Sequence, residues 1–413
     1  MSNSKKILIV SSLPVSYPPK DGYSMVIFYR SYFLKKIANI ESDIIVPENE
    51  KNPAKNLIES GIFDNVFSYP INNKWISLIK SFFLNKTHTM IRHDIKYKYQ
   101  KRILIQINKN KYEAVIFDFS ASYPLYEKLV RHINVRSDNI IYWSHNIDYI
   151  YFKALANETK NLLEKFFYFF IYKNLEKIEP SYIKKFPKIV SVSHHEIKIL
   201  KEINPKALIY WIPPMLPEQK TTEIEKKYVS AIIKKVEKYE YKILFSGVLR
   251  IPSNILAVIW FANKIFPIIK SKLNACFMIV GRDPSKDIIN LVNHNKDIFL
   301  FPNVPSLAPF YEISDLVVIP LFNPAGIKLK LMEALKYRKK VVARPEALLG
   351  AGLEKIVPNA TEPEDFAEKC IRSLKDEIDF SIIWDKFNEI YNEEKIINKL
   401  KDILFNKINY ENS

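Results

Sequence analysis

Almost from end to end the chain alternates between short runs of β-branched and aromatic residues and longer segments with apolar residues at helical spacing. Strands separated by helices cannot pair as hairpins, so they pair in parallel with helices covering both faces of the sheet. Runs of the strand kind occupy Lys6–Ser11, 42–46, Ala114–Asp118, 139–144, 188–193 and 207–212. They stop at Pro213-Pro-Met-Leu-Pro217 and the charged stretch 218–239. They resume at 242–247, 275–281, 298–301, 315–319, 340–343 and 354–357. The predicted fold class is α/β, with two Rossmann-like, doubly wound parallel-sheet domains. The boundaries read as 1–212 for the first domain, 213–240 for a linker and 241–380 for the second domain. Residues 381–409 read as amphipathic helix, with Ile383, Phe387, Ile390, Ile397, Leu400 and Leu404 on one face. A chain of 413 residues, 48% of them hydrophobic, is long and apolar enough for two cores.

Glycine is scarce, with seven in the whole chain, so several are expected where a side chain would obstruct the backbone or a ligand. Gly22, Gly247, Gly281 and Gly326 each adjoin a predicted strand end, and open parallel sheets bind ligands outside the carboxyl ends of their strands. The two cysteines, Cys276 and Cys370, fall in strand and helix patterns and read as core thiols without disulfide or zinc spacing. The polar lead of residues 1–6 runs straight into the first strand, with too short an apolar run for a signal peptide. The apolar stretches 75–84 and 166–172 fall short of the roughly 20 residues of a membrane-spanning helix. These features predict a cytoplasmic location.

The net charge of +17 is unevenly spread. Residues 1–212 carry 32 Lys and Arg against 19 Asp and Glu, while residues 213–413 carry 30 against 26. Between positions 74 and 111 lie ten basic residues and one acid, Asp94, interleaved with Trp75, Phe82, Phe83, Tyr97 and Tyr99. That pattern suits an anionic membrane surface or a phosphate-bearing acceptor, with a solvated lysine-rich face as the plain alternative. A nucleic-acid partner is not expected, because no helix-turn-helix, zinc-finger or RNP-type pattern accompanies the charge.

The densest chemistry lies in Pro320-Leu-Phe-Asn-Pro-Ala-Gly-Ile-Lys-Leu-Lys-Leu-Met-Glu-Ala-Leu335. A glycine turn follows an apolar strand and opens a helix, so Gly326 lets backbone N–H groups approach a phosphate at a helix N-terminus. Lys328 and Lys330 bring positive charge beside it, and Glu333 can accept hydrogen bonds from a ribose diol. An ordinary strand, turn and amphipathic helix with solvated lysines fits the same pattern. No Asp-x-Asp pair and no His/Cys cluster with ligand spacing occurs, which predicts chemistry without a metal or other cofactor.

Taken together, these segments resemble the GT-B glycosyltransferases of family 4. Ile7-Leu-Ile-Val-Ser-Ser-Leu-Pro14 and Tyr17-Pro-Pro-Lys-Asp-Gly-Tyr-Ser24 resemble the family's first strand and glycine loop, with Tyr23 in place of a second glycine. His145-Asn-Ile-Asp-Tyr149 resembles its His-Asn-Val-Glu element, and 172–176, 189–193 and Glu196 follow in order. Phe245-Ser-Gly-Val-Leu-Arg250, Pro252-Ser-Asn-Ile-Leu-Ala-Val-Ile-Trp-Phe261 and Phe277-Met-Ile-Val-Gly-Arg282 are similar to a subgroup that modifies polysaccharides.

The resemblance implies a donor nucleotide-diphosphate sugar bound mainly by the second domain, an acceptor bound by the first, and reaction in a cleft between them. It implies that His145 orients the donor sugar, that Lys330 and Glu333 serve catalysis, and that Gly22, Gly247, Gly326, Ile327 and Lys328 meet the nucleotide. It also implies transfer with retention to a glycan or lipid-linked acceptor in surface-polysaccharide synthesis, with the C-terminal helix returning to the first domain.

Three positions depart from the pattern. Val248 and Ser253 stand where an arginine and a lysine usually serve the diphosphate, and Ala325 stands where a glutamate usually meets the sugar. Arg250 and Lys330 are the candidate replacement cations, with Arg250 equally readable as a surface residue. Arg282 reads as near the nucleotide base or as an ion-pair partner of Asp283 or another neighbour. The departures leave room for a catalytically silent binding subunit, or for an epimerase or hydrolase on the same fold.

Overall fold

The computed structural model describes residues 5–19, 21–48, 54–84, 86–217, 230 and 234–405. Most of the linker expected at 213–240, and residues 406–409 of the expected C-terminal helix, lie outside them. The chain divides into two compact units. One comprises Met1–Lys153, Phe166–Leu216 and Tyr391–Ser413, and the other Ala154–Lys165 and Pro217–Ile390. The chain thus passes between the units more often than a single break near 213 suggests, because the segment Ala154–Lys165 groups with the second unit.

The first unit holds a seven-stranded sheet. Its strands are β1 (Lys6–Ser11), β2 (Glu41–Glu48), β3 (Asn65–Pro70), β4 (Ala114–Asp118), β5 (Ile140–Ser144), β6 (Lys188–Ser191) and β7 (Leu208–Trp211). The order is β3-β2-β1-β4-β5-β6-β7, and every pairing is parallel. Ile7, Leu8, Ile9 and Val10 of β1 are all fully buried, as both faces of a helix-covered parallel strand require. The chain starts at β1, winds outward to β3, then returns to β4 on the other side of β1. The switch point therefore lies between β1 and β4, where Ser11 pairs with Asp118.

The second unit repeats the plan in five strands: β8 (Tyr241–Val248), β9 (Ala275–Arg282), β10 (Ile298–Pro302), β11 (Leu316–Ile319) and β12 (Lys340–Ala343). The order β10-β9-β8-β11-β12, again all parallel, puts its switch point between β8 and β11. β8 ends at Gly247 and Val248, and the loop after β11 is the 320–328 segment singled out above. Cys276 and Cys370 are both buried thiols of this core.

Three elements differ from expectation. β3 is an edge strand whose residues alternate between covered and exposed and which ends in proline, so it lacks the continuous apolar run that marks its neighbours. Residues 354–357, expected as a strand, form a turn. The Glu354 carboxylate accepts the backbone N–H groups of Gly350 at 2.8 Å and Gly352 at 3.3 Å, which folds the segment back instead of extending it. The single C-terminal helix is two, Ser381–Ile390 and Glu393–Phe405. Asn392 caps the second, its Oδ1 accepting from Lys395 N at 2.9 Å, so the chain breaks helical register there. Ser381–Ile390 groups with the second unit and Tyr391–Ser413 with the first.

A longer apolar helix than 75–84 or 166–172 is also present. Pro252–Lys270 runs for 19 residues and is apolar enough by composition to cross a bilayer. Over half of it is buried in the second unit, where Val258, Phe261 and Ile265 form core contacts.

Candidate functional site

In the second unit, the ends of β8 and β11 bring together Gly247, Asn254, Lys330 and Glu333. Gly326 has φ 65°, a left-handed conformation that glycine adopts without strain, and it turns the chain from β11 into the helix Leu329–Lys336. That helix starts without a side-chain cap; Leu331 N–H donates to the Lys328 carbonyl at 2.9 Å, and the turn before it points the helix start toward an anion. Asn323 Oδ1 accepts from Ala325 N at 2.9 Å. The Lys328 ammonium turns back onto the loop, donating to the Ala325 carbonyl and, at 3.1 Å, to that of Gly326. Lys328 thus braces the loop as well as placing charge at the helix start. Ile327 is half-buried beside it.

Lys330 projects the other way. Its Nζ donates to Asn254 Oδ1 at 3.0 Å and lies 4.0 Å from the centre of the Phe245 ring. Asn254 in turn donates through Nδ2 to the Val248 carbonyl at 2.9 Å, so it fixes the ammonium against the end of β8. A Cβ on Gly247 would stand 3.1 Å from Lys330 Nζ, so the glycine keeps this approach open. Burial pulls the Lys330 pKa down to about 7, against the opposing pull of Glu333. Burial likewise raises Glu333 to about 7, opposed by a hydrogen bond from Tyr311 and by the charge of Lys330.

The Tyr311 hydroxyl donates to Glu333 Oε2 at 3.0 Å and meets Ser246 Oγ at 2.9 Å, while its ring stacks on Tyr337. Held this way, Glu333 offers Oε1 as an acceptor, and Lys330 is a cation whose full charge an arriving anion would restore.

The remaining predicted residues of this unit have other company. Arg250 is 69% exposed and pairs through Nε with Asp283 at 3.2 Å, the surface alternative weighed for it. Arg282 is half-buried at the end of β9, its Nε without a hydrogen-bond partner among the described residues. Ser253, at the position where a diphosphate-binding lysine was expected, donates to the Glu158 carboxylate. Burial raises the pKa of Glu158.

In the first unit, His145 directly follows β5, next to the β4 strand that ends in Asp118, and is 7% exposed. Its Nε2 lies 2.9 Å from Asp118 Oδ1, and Asp118 is gripped bidentately by Arg30 at 3.0 and 2.7 Å. Desolvation acts to raise the Asp118 pKa, but Arg30 and His145 outweigh it, and the net effect is to lower it. Burial lowers the pKa of His145, with Asp118 opposing. An ionised Asp118 only accepts, so a neutral His145 carries its proton on Nε2 and presents Nδ1 as an acceptor.

The imidazole stacks face to face on Phe119 at 3.8 Å and 11°. Phe119 itself has φ 68°, an uncommon backbone for a residue with a side chain, of the kind that concentrates at functional sites. Tyr23 meets Phe119 edge-on at 5.9 Å. Gly22 opens the helix Gly22–Ala38 behind the N-cap Asp21, whose side chain accepts from Ser24 N at 3.0 Å. Beyond His145 the loop is locked by buried carboxylates. Glu196 accepts from Ile147 N at 3.2 Å, and Glu179 from Asp148 N at 3.0 Å and Tyr149 N at 2.9 Å.

Sequence reasoning missed Asn254, Tyr311, Arg30, Asp118 and Phe119. Asn254 stood inside a quoted motif, and Asp118 ends a predicted strand, so both carried a local signal. Arg30 lies 88 positions from Asp118, and Tyr311 lies 22 from Glu333; neither distance leaves a pattern in the sequence. Among the described residues, no group of three or more His, Cys, Asp or Glu is arranged to hold a metal ion.

Residues 240–376 match the family described as Glycosyl transferases group 1. The chain is 24% identical to a Klebsiella pneumoniae protein described as "Uncharacterized 44.6 kDa protein in cps region", over 98% of this chain and 95% of that one. Among solved structures it is similar to TarM, with TM-score 0.65, 14% identity, and 98% and 99% of the two chains covered. A TarM variant from S. aureus, in complex with Fondaparinux, alpha-GlcNAc-glycerol and UDP, gives TM-score 0.63 at 14% identity, covering 98% of this chain and 100% of that one. A glycosyltransferase from Rickettsia africae gives TM-score 0.62 at 18% identity, covering 98% and 100%.

Proposed function

We propose, from the premise that this chain is a GT-B glycosyltransferase with a group 1 transferase domain at residues 240–376, that it transfers a sugar with retention from a nucleotide-diphosphate sugar to a glycan or lipid-linked acceptor. The observation that carries this reading is the Lys330–Glu333 pair at the switch point of the second sheet, beside Gly247 and an uncapped helix N-terminus. A diphosphate is the ligand this chemistry favours: it restores the charge that burial takes from Lys330, and its oxygens suit the first-turn N–H groups. Glu333 Oε1 is suited to a ribose hydroxyl. UDP in the TarM variant complex supports a nucleoside diphosphate as the leaving group.

Transfer expels that diphosphate with growing negative charge, and Lys330 is the cation proposed to compensate it, in place of the residues replaced by Val248 and Ser253. With compensation from lysine and helix dipole, the reaction is proposed to need no metal. In the first unit, His145 Nδ1 is proposed to accept a hydrogen bond from a sugar hydroxyl, aligned by Asp118 and Phe119. No side-chain nucleophile is assigned; front-face substitution, in which the leaving phosphate takes the acceptor's proton, is the proposed route to retention. The relative from a cps region supports a place in capsule or another surface polysaccharide. A lipid-linked acceptor would put the protein at the cytoplasmic face of a membrane.

Thermal unfolding with a panel of nucleoside diphosphates and nucleotide sugars tests the donor site, because a ligand of the folded state raises the midpoint by mass action. Stabilisation by one base, lost in Glu333→Ala and Lys330→Ala, is expected. A flat response from folded protein would favour a silent binding subunit, and donor consumption at full rate without acceptor would favour an epimerase or hydrolase.

A further inference from the structure

The helix Lys74–Phe83 of the first unit is inside out. It buries Ser77 and Ser81, 1% and 2% exposed, against the neighbouring helix His88–Arg92. The serine hydroxyls need nothing from that neighbour, since Ser77 Oγ donates to Asn73 O at 2.8 Å and Ser81 Oγ to Leu78 O at 2.6 Å. The opposite face presents Trp75, Ile76, Ile79, Phe82, Phe83 and Leu84 to solvent, Trp75 at 67% and Phe83 at 83%. Phe82 stacks at 4.6 Å on Phe170 of the helix Leu162–Ile183, which adds exposed Phe166 and Phe169. A contiguous apolar surface of this kind calls for an occupant.

The charge around it decides which. Lys74 and Lys80 stand exposed on the same helix, with Lys74 Nζ 5.7 Å from the Trp75 ring, and the ten basic residues between 74 and 111 face a single acid. A second copy would set this basic surface against itself, so self-pairing is disfavoured. Lysine heads around a tryptophan- and phenylalanine-bearing helix complement an anionic lipid headgroup layer over its acyl chains.

We propose that the helix Lys74–Phe83 lies in the plane of an anionic bilayer, with Trp75, Phe82 and Phe83 inserted below the headgroups and Lys74 and Lys80 among the phosphates. The inference deepens the membrane part of the proposed function by naming its docking element. Its test reads lipid binding alone, so a failure there leaves the donor-site reading standing.

The experiment is co-sedimentation of the full chain with vesicles of phosphatidylcholine alone and with phosphatidylglycerol added, alongside light scattering without lipid. Wild type should bind the anionic vesicles at least about tenfold more tightly, and Lys74→Glu with Lys80→Glu should remove most of that difference. Trp75→Ser with Phe83→Ser should abolish the binding that persists at high salt. All four side chains are exposed, so unchanged thermal unfolding is expected of both variants. No wild-type binding to anionic vesicles, apolar-variant binding equal to wild type, or lipid-free self-association that the apolar variant abolishes would each overturn the proposal.

Discussion

Two groups at the second unit's switch point are held near neutrality by burial, and their signs run opposite. Lys330 is charged below about 7 and loses its proton as pH rises; Glu333 is ionised above about 7 and gains a proton as pH falls. In the donor site proposed above, diphosphate binding needs the first charged, and a ribose contact needs the second ionised. Nucleoside diphosphate affinity should therefore peak near neutrality. On the alkaline side it should fall by up to about tenfold per pH unit until the higher Lys330 pKa of the complex is passed. Titration calorimetry across pH 6 to 9 checks this, with about one proton linked to binding on that limb. In Lys330→Arg, whose guanidinium stays charged, the alkaline limb should vanish while the acid limb remains. An alkaline limb that persists in this variant would remove Lys330 from the diphosphate site.

The elements that carry the site depend on how closely two strands approach. Gly247 and Gly281 are direct partners across β8 and β9, and a Cβ built on Gly281 would overlap the Gly247 carbonyl oxygen. Backbone cannot move aside as a flexible side chain does. Gly281→Ala should therefore reach at least the upper end of overpacking costs, about 3 kcal/mol, measurable as a lower urea midpoint. It should also weaken donor binding, because β8 carries Gly247 and the Asn254 anchor at Val248. A variant as stable as wild type would mean that the strand ends are farther apart than this register implies. The scarcity of glycine had already marked the position, while the reason for it, a neighbouring carbonyl, belongs to the pairing of two strands.

At the scale of the whole molecule, the last residues belong to the first unit although the second intervenes in sequence. The helix Glu393–Phe405 buries Ile396, Ile397, Leu400, Ile403 and Leu404, and the Ile403 carbonyl accepts from the buried Lys188 ammonium at 2.9 Å. Five such side chains at about 1.5–3 kcal/mol each amount to roughly the total stability of a domain. Ending the chain after residue 390 should therefore leave the first unit unfolded or aggregated. Circular dichroism and solubility, against a full-length control, check this, and a soluble, cooperatively folded truncation would refute it.

Strand–helix alternation was sufficient to define the α/β class, both parallel sheets and the glycine turn at 320–328, because these follow from periodicity and from backbone needs local to a few residues. Edge strand β3 and the turn at 354–357 were not legible, since one has half its residues solvated and the other is folded by a carboxylate. The chemistry of the site lies further from the sequence. His145, Lys330 and Glu333 were singled out from their sequence neighbours, but the side chains that hold them in place, Asp118 with Arg30, Asn254 and Tyr311, are distant from them in the chain. The inside-out helix is the sharpest case. Its aromatic and lysine content was legible, but only packing reveals that the serines face inward, because a helical pattern specifies which residues share a face and leaves open which face the core accepts.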